Sequence, residues 1–271
     1  MSKPKLRILY AASEIAPFLE TTAAADFVQK LPKHMQQMDM EVRILVPRFG
    51  LINERRNRLH EVVRLSGINI MVGEEKKSLV VKVSSIPSAK LQVYFVDNEE
   101  YFKRKARFYS KQGDFFQDND ERLIFFCVGV LATIKRLERA PDIIHCHDWI
   151  ASLIPMYLKK VYNSEPILKK AKTIFTLYNN TFKDKFPQHL AQKAMVAGMN
   201  QTSVAPLATA DFAALIRTGM QYADVVTRTE ALSDPAYQGL VDEQEIAHIQ
   251  NSEEGIEAYA QLYQKIARRK R

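Results

Sequence analysis

A run of titratable and aromatic side chains closes an apolar segment near the middle of the chain. Residues 143–144 are both isoleucine, and they are followed by His145, Cys146, His147, Asp148 and Trp149, the single tryptophan of the sequence. Imidazole and carboxyl groups can act as general acids or bases. Polar groups at the carboxyl end of a buried strand lie where open α/β sheets bind ligands. This run is therefore the principal candidate site, with Asp148 as its candidate catalytic residue.

A structural role explains the same residues equally well. Asp148 can cap the helix that follows, and His145 can be a hydrogen-bonded histidine of the core. We expect two histidines at positions i and i+2 of a strand to point to opposite faces, so that they do not bind one metal ion together. No metal site is predicted, and catalysis and structural support remain open alternatives.

The turn after the first apolar run is where a phosphate-binding loop of an α/β protein would lie. Its sequence Glu20-Thr21-Thr22-Ala23 contains no glycine, although glycine lets backbone amides approach a pyrophosphate closely. Glu20 places a negative charge where a bound phosphate favours a positive one. The turn therefore argues against ordinary nucleotide binding at this position, and a plain helix start is the alternative.

Polar side chains also follow the apolar run 173–177. Tyr178, Asn179 and Asn180 come directly after it, so we expect them near the same crevice edge as His147 and Asp148. Aromatic and amide groups that converge at a crevice suit sugar binding. An ordinary turn at the end of a strand fits the same residues.

Alternating apolar runs and helical periodicities predict an α/β fold around these candidates. A strand at 6–12, a helix at 21–38 and a strand at 41–47 form a βαβ unit, which implies a parallel sheet. Thr21 or Thr22 is expected to cap that helix, and Pro32 to kink or divide it. The segment 60–96 carries four short strand signals and is predicted as β-hairpins inserted into the sheet or attached to its edge. The later predicted elements are helices at 99–105, 119–139, 149–162 and 211–222, strands at 142–146, 173–178 and 224–228, and a charged helix after 246.

Composition limits the classes of function. The chain has 271 residues and a net charge of +8, and its basic residues are dispersed, which favours solubility over nucleic-acid binding. Cys127 and Cys146 lie in apolar runs and are expected to be buried free thiols in a reducing compartment. The first residues carry no signal-peptide pattern, and no apolar stretch reaches the length of about 18 residues of a membrane span. We expect a cytoplasmic protein with no cofactor and no membrane partner.

Taken in order, these segments resemble the N-terminal domain of bacterial glycogen synthase and plant starch synthase, glucosyltransferases of the GT-B architecture. The run 145–149 matches the most specific motif of that family. The resemblance predicts one Rossmann-like, doubly wound, mostly parallel sheet, which is one half of a GT-B enzyme, over residues 1–240. It also predicts a helical tail over 241–271 that packs back on the domain through the stripe Ile256, Tyr259, Tyr263 and Ile266. The similar segments are 8–17, 31–33, 42–48, 101–102, 118–122, 145–149, 175–179 and 212–227.

The resemblance implies a reaction and a set of site residues. The family transfers glucose from ADP-glucose or UDP-glucose to an α-1,4-glucan. Its donor loop, Lys-Thr-Gly-Gly, corresponds to Glu20, Thr21, Thr22 and Ala23. Its active-site histidine corresponds to Tyr178. Asp148 is retained, and its counterpart lies close to the transferred sugar. The neighbouring positions implied by the resemblance are His147, Trp149 and Asn179.

The resemblance also predicts what the chain lacks. The family's C-terminal domain binds most of the nucleotide sugar, and the 271 residues contain no counterpart of it. Glycosyl transfer requires stabilisation of the nucleotide leaving group. We therefore expect transfer to be lost or to depend on a separate protein that supplies the second domain, with an α-glucan or a nucleotide sugar as ligand. The alternative is a non-catalytic subunit that binds glucan or a protein partner.

Overall fold

The computed structural model describes residues 5–86, 89–240 and 246–268. Among these, no helix is long and apolar enough to cross a membrane. The strands are β1 (Arg7–Ala11), β2 (Glu41–Pro47), β3 (His60–Glu61), β4 (Ile68–Val72), β5 (Glu75–Ile86), β6 (Leu91–Asp97), β7 (Ile143–His147), β8 (Lys172–Leu177), β9 (Val225–Arg228) and β10 (Ala247–His248). The helices are α1 (Ala23–Gln37), α2 (Glu99–Phe102), α3 (Asn119–Leu137), α4 (Ile154–Lys160), α5 (Leu190–Ala194), α6 (Gln201–Val204), α7 (Phe212–Tyr222) and α8 (Glu253–Arg268).

The strands form one mostly parallel sheet that grows outward in both directions from its centre. Its order is β10-β9-β8-β7-β1-β2-β6-β5-β3, and β4 pairs with β5. Every pair from β10 to β6 is parallel, whereas β5 runs antiparallel to β6 and carries β3 and β4 antiparallel on itself. The prediction of a doubly wound α/β fold with a β-hairpin region is therefore confirmed.

The hairpin region is smaller than predicted, because β6 is a parallel strand of the main sheet beside β2. Of the four strand signals predicted within 60–96, the first, at 62–65, is wrong, because no strand forms there. Val63–Leu65 form a 3-10 turn in which Leu65 alone is buried, and Val63 is 80% exposed. A strand would have buried every second residue against the sheet. Because only Leu65 is buried, the segment forms a turn that this leucine anchors.

Two predicted helices differ in their details. Helix α1 continues through Pro32, so the predicted division is wrong; Leu31 and Met35 on either side of it are fully buried and hold the helix on the sheet. Thr22 takes the N-cap position but makes no capping side-chain bond there. The helix predicted over 149–162 is split into the 3-10 turn Trp149–Ala151 and α4, which has Pro155 in its first turn, a position that favours a helix start.

Close packing of α7 on β8 gives a test of the fold. A Cβ added at Gly219 would lie 2.4 Å from Cε1 of the Phe175 ring. We expect Gly219→Ala to lower the free energy of unfolding by about 1–3 kcal/mol, because overpacking outweighs the better helix propensity of alanine. Denaturant unfolding measures this, with the exposed Arg217→Ala on the same helix as control. Equal stability of Gly219→Ala and the wild type would contradict the packing described.

Candidate functional site

The candidate site lies where the chain changes direction across the sheet. The strands after β1 are added on one side through β2 and β6, and on the other side through β7 and β8. A crevice forms outside the carboxyl ends of strands at such a switch point. Ser13 and Glu14 follow β1, and Asp148 follows β7; all three are buried. The sequence thus brings polar groups from distant segments to the one position in the sheet that favours a ligand.

Asp148 adopts a backbone conformation that few residues other than glycine adopt. Its φ is 71° and its ψ is 163°, a region that costs on the order of 1–3 kcal/mol for a residue with a side chain. The Asp148 carboxylate accepts hydrogen bonds from the Ser13 hydroxyl at 2.8 Å and from the Trp149 backbone N–H. Its own N–H donates to the carbonyl of Thr176 at 3.2 Å. Asp148 caps the 3-10 turn that follows it, and these bonds hold the strained backbone in place.

Opposing effects act on the charge of this carboxyl group. Burial raises the pKa of Asp148, whereas the Arg107 guanidinium and the side chains of Ser13 and Asn180 oppose that rise. A buried carboxyl with a raised pKa binds a proton more readily than an exposed one. The Asp148 carboxyl is therefore a group that can form a hydrogen bond with a ligand hydroxyl.

Arg107 is the solvent-facing end of a polar chain that leads to Asp148. One terminal nitrogen of Arg107 donates to Ser13 Oγ at 3.2 Å, the other donates to Thr21 Oγ1, and the guanidinium lies 3.5 Å from Glu14 Oε1. Sequence reasoning missed Arg107, because 94 residues separate it from Ser13 and no local motif joins the two. The cation of this site therefore comes from the loop after α2 and not from the turn after β1.

The turn after β1 is held closed by Glu14. The Glu14 carboxylate accepts hydrogen bonds from the Thr21 N–H at 2.9 Å, from the Thr21 hydroxyl at 2.7 Å and from the Thr22 hydroxyl. This is why Thr22 does not cap α1 with its side chain. Glu20 is exposed beside them. The polar groups of the turn are thus engaged by the protein itself.

His145 and His147 lie on the same face of β7, with ring centroids 3.9 Å apart. The expectation that they point to opposite faces is wrong, because side chains alternate with every residue of a strand and positions i and i+2 share a face. His145 bonds Tyr263 Oη through Nδ1 and Thr176 Oγ1 through Nε2, both at 2.6 Å. Within the described ranges, no group of three or more His, Cys, Asp or Glu side chains is arranged to hold a metal ion.

Both histidines are neutral in the folded protein near neutral pH. Burial lowers the pKa of His147 to about 3 and lowers the pKa of His145 well below its usual range, with the neighbouring His147 adding to the effect. A group whose pKa is so low cannot supply a proton at neutral pH. His145 thus occupies the position of a hydrogen-bonded core histidine.

Tyr178 is buried and hydrogen-bonds a core histidine. Its hydroxyl bonds His147 Nδ1 at 2.7 Å, and its backbone carbonyl accepts a hydrogen bond from the Tyr237 hydroxyl. Asn179 is exposed, and its side chain donates to the Ala231 carbonyl at 2.7 Å. The Asn180 side chain hydrogen-bonds the Asp148 carboxyl. Burial raises the pKa of Tyr178, and the charge of Asp148 in turn helps to raise it.

Trp149 belongs to an aromatic cluster beneath the site. It is 4% exposed, and its ring centroid lies 4.5 Å from that of Phe108 and 5.1 Å from that of Phe182. A tryptophan buried in this way supports its neighbours and presents little ring surface for stacking. Phe108 directly follows Arg107, so the cluster fixes the segment that carries the guanidinium.

The doubly wound sheet and the buried carboxyl at its switch point define a Rossmann-like domain of the kind that forms one half of a GT-B protein. The chain belongs to the starch synthase catalytic domain family, whose model matches residues 7–232. The resemblance inferred from the sequence is therefore confirmed.

Curated relatives and a solved structure agree with this assignment. The chain is similar to the glycogen synthase of Chlorobium luteolum, with 41% identity over 233 residues that cover 86% of this chain and 47% of that protein. The glycogen synthase of Chlorobium limicola is 39% identical with the same coverage. The fold is similar to that of the catalytic domain of Starch Synthase IV from Arabidopsis thaliana bound to ADP and acarbose, with a TM-score of 0.73 and 17% identity over 92% of this chain and 52% of that chain. The chain thus spans about half the length of the relatives it matches.

Proposed function

We propose that this chain supplies the glucan-binding half of a glycogen synthase or starch synthase type of glucosyltransferase. The reaction is transfer of glucose from ADP-glucose or UDP-glucose to an α-1,4-glucan. In this proposal these 271 residues bind the glucan, and transfer requires a second, nucleotide-binding half in addition to them. Membership of the starch synthase catalytic domain family and the glycogen synthase relatives support the class of reaction.

The turn after β1, which Glu14 holds closed, is the observation that supports assigning stabilisation of the leaving diphosphate to the second half. Transfer requires positive charge or hydrogen-bond donors where the diphosphate leaves. Here the Arg107 guanidinium lies against the Glu14 carboxylate, and the Thr21 N–H is already donated to that carboxylate. Glu20 adds a further negative charge. This half therefore contributes little stabilisation to a leaving diphosphate, and the second half must contribute it.

Asp148 is the residue proposed to contact the sugar. Its carboxylate is hydrogen-bonded by the Ser13 hydroxyl, the Trp149 N–H and the Asn180 side chain. Since a carboxylate has about four acceptor sites, one remains for a sugar hydroxyl. Arg107 and Asn180 are proposed to hold the carboxyl in a form that accepts that bond. His147, Trp149 and Tyr178 are proposed to support this wall from the core side, and the exposed Asn179 to lie at its rim.

Titration with maltoheptaose tests the glucan half of the proposal. We expect Asp148→Asn to weaken binding by about tenfold, the loss expected for a charged hydrogen-bond acceptor. Asp114→Asn, an exposed carboxylate on the neighbouring loop, serves as the matched control and should bind as the wild type does. Equal affinity of the Asp148→Asn variant and the control would refute the role of Asp148. Failure of the wild type to bind would refute the glucan-binding proposal and favour a role in protein interaction.

A further inference from the structure

A second cleft, on the other side of the β1 turn, has a basic wall. It has a volume of about 600 Å³ and lies between the loop 53–59 with the start of β3, the end of β5 and residues 17–18. We call it the basic cleft; its chemistry is set by Arg56, Arg58, His60, Ser84, Gln92 and Phe18. Its volume lies within the range of small-molecule sites.

The charge of the basic cleft is not balanced by acidic groups. Of the described residues that line it, none carries a carboxylate. Glu54 of the same loop is engaged by Arg48 at 3.2 Å and by Lys82 at 2.7 Å. Within the described residues the guanidiniums of Arg56 and Arg58 are therefore left without an ion-pair partner. Two planar guanidiniums close in sequence on one wall are suited to the oxygen atoms of a phosphate group.

The loop that carries these cations is held in a fixed conformation. The Asn57 carbonyl accepts a hydrogen bond from the Ser84 hydroxyl at 2.6 Å, and the Leu59 N–H donates to the Glu54 carbonyl at 2.9 Å. Arg58 has a φ of 50°, in the left-handed region that residues with a Cβ seldom occupy. Such a conformation persists only where the surrounding structure enforces it, and it is concentrated at binding and catalytic sites. The backbone that carries the cations is thus fixed before any ligand arrives, and the exposed side chains of Arg56 and Arg58 extend from it.

The opposite wall offers carbon surface and hydrogen-bonding groups. The exposed Pro17 supplies most of the carbon surface, and the largely buried Phe18 ring beneath it is fixed edge to face on Phe95 at 5.1 Å. Ser85 and Gln92 supply hydroxyl and amide groups. A sugar ring has apolar C–H faces and a rim of hydroxyl groups, so it matches this wall while a phosphate matches the other. We propose that the basic cleft binds the phosphate ester of a sugar, at a site distinct from Asp148.

Calorimetric titration of the chain with glucose 1-phosphate tests this proposal, with inorganic phosphate and free glucose as separate probes. We expect glucose 1-phosphate to bind more tightly than either fragment. The double variant Arg56→Ala/Arg58→Ala should weaken its binding by about tenfold or more, because each guanidinium contributes charged hydrogen bonds. Arg55→Ala is the matched control, since Arg55 is exposed on the same loop but does not line the cleft. Thermal unfolding should show all three proteins equally folded.

Each other outcome overturns the proposal in a defined way. Equal affinity for inorganic phosphate and glucose 1-phosphate would show that the cleft recognises the phosphate alone and would refute the sugar part of the proposal. Equal losses in the double variant and in Arg55→Ala would show general attraction to a basic protein in place of a site. Unchanged binding of glucose 1-phosphate by the double variant would show that the ligand binds outside the basic cleft, for example at the Asp148 crevice. Absence of binding at millimolar concentration would exclude the site.

Discussion

Replacing Tyr259 with alanine is expected to lower the free energy of unfolding by about 3–5 kcal/mol, the range measured for large aromatic side chains removed from cores. Tyr259 lies in α8 and is fully buried. Its ring packs on Phe27 of α1 with centroids 5.8 Å apart, and its hydroxyl bonds Thr227 Oγ1 at 2.9 Å. Alanine would leave a cavity and a buried hydroxyl with one bond fewer. Urea unfolding followed by circular dichroism measures the loss.

Two further variants of α8 separate packing from hydrogen bonding. Tyr263→Phe removes only the hydroxyl that bonds His145 Nδ1, and we expect it to cost about 1–3 kcal/mol because a buried imidazole nitrogen loses its partner. Gln261→Ala changes an exposed residue of the same helix and should leave stability within about 0.5 kcal/mol. An unfolding midpoint for Tyr259→Ala equal to that of Gln261→Ala would show that α8 does not stabilise the domain.

The protein is expected to lose stability steeply as the pH falls below about 6.5, through its two buried histidines. The ordinary pKa is 6.5, and burial lowers that of His147 to about 3 and that of His145 well below 6.5. At pH values between the folded and unfolded pKa values of each histidine, the unfolded chain therefore binds a proton that the folded chain does not bind. The contribution of the two histidines to the free energy of unfolding is fully present above pH 6.5. It falls by about 1.4 kcal/mol for each histidine and each pH unit as the pH is lowered. Asp148 has a raised pKa and acts in the opposite direction, so it cannot cause this loss.

Unfolding free energies measured from pH 7 to pH 4 test this expectation. His147→Asn keeps a hydrogen-bonding side chain but does not titrate in this range, so the stability of the variant should fall less steeply by about 1.4 kcal/mol per pH unit. His189→Asn changes an exposed histidine and should fall as the wild type does. The same acid dependence in all three proteins would show that His147 is not buried in its neutral form.

The elements around the site were predictable because their signals are local. A few consecutive residues are enough to indicate which side chains are buried in β1, in β7 and on the stripe of α8. The four residues of that stripe are buried: Ile256, Tyr259, Tyr263 and Ile266. Residues 241–245, where the predicted tail begins, and residues 269–271, where it ends, lie outside the described residues.

The hydrogen bonds that join distant residues of the site were not predictable from local signals. The bond between His145 and Tyr263 joins residues 118 positions apart, and Arg107 reaches Ser13 across 94 positions. Periodicity indicates which face of an element is buried, but it does not indicate which distant side chain meets it there. The shared face of His145 and His147, by contrast, follows from a local rule, the two-residue period of a strand.

The most direct test of the proposed function incubates the purified chain with glycogen and labelled ADP-glucose or UDP-glucose, and then sediments the glycogen. The pellet is assayed for the protein and for incorporated label, with Asp148→Asn in parallel. We expect the wild-type chain to sediment with glycogen, the variant to sediment less, and neither to incorporate glucose. Incorporation of glucose by the wild-type chain alone would contradict the claim that this half cannot transfer glucose without a second one.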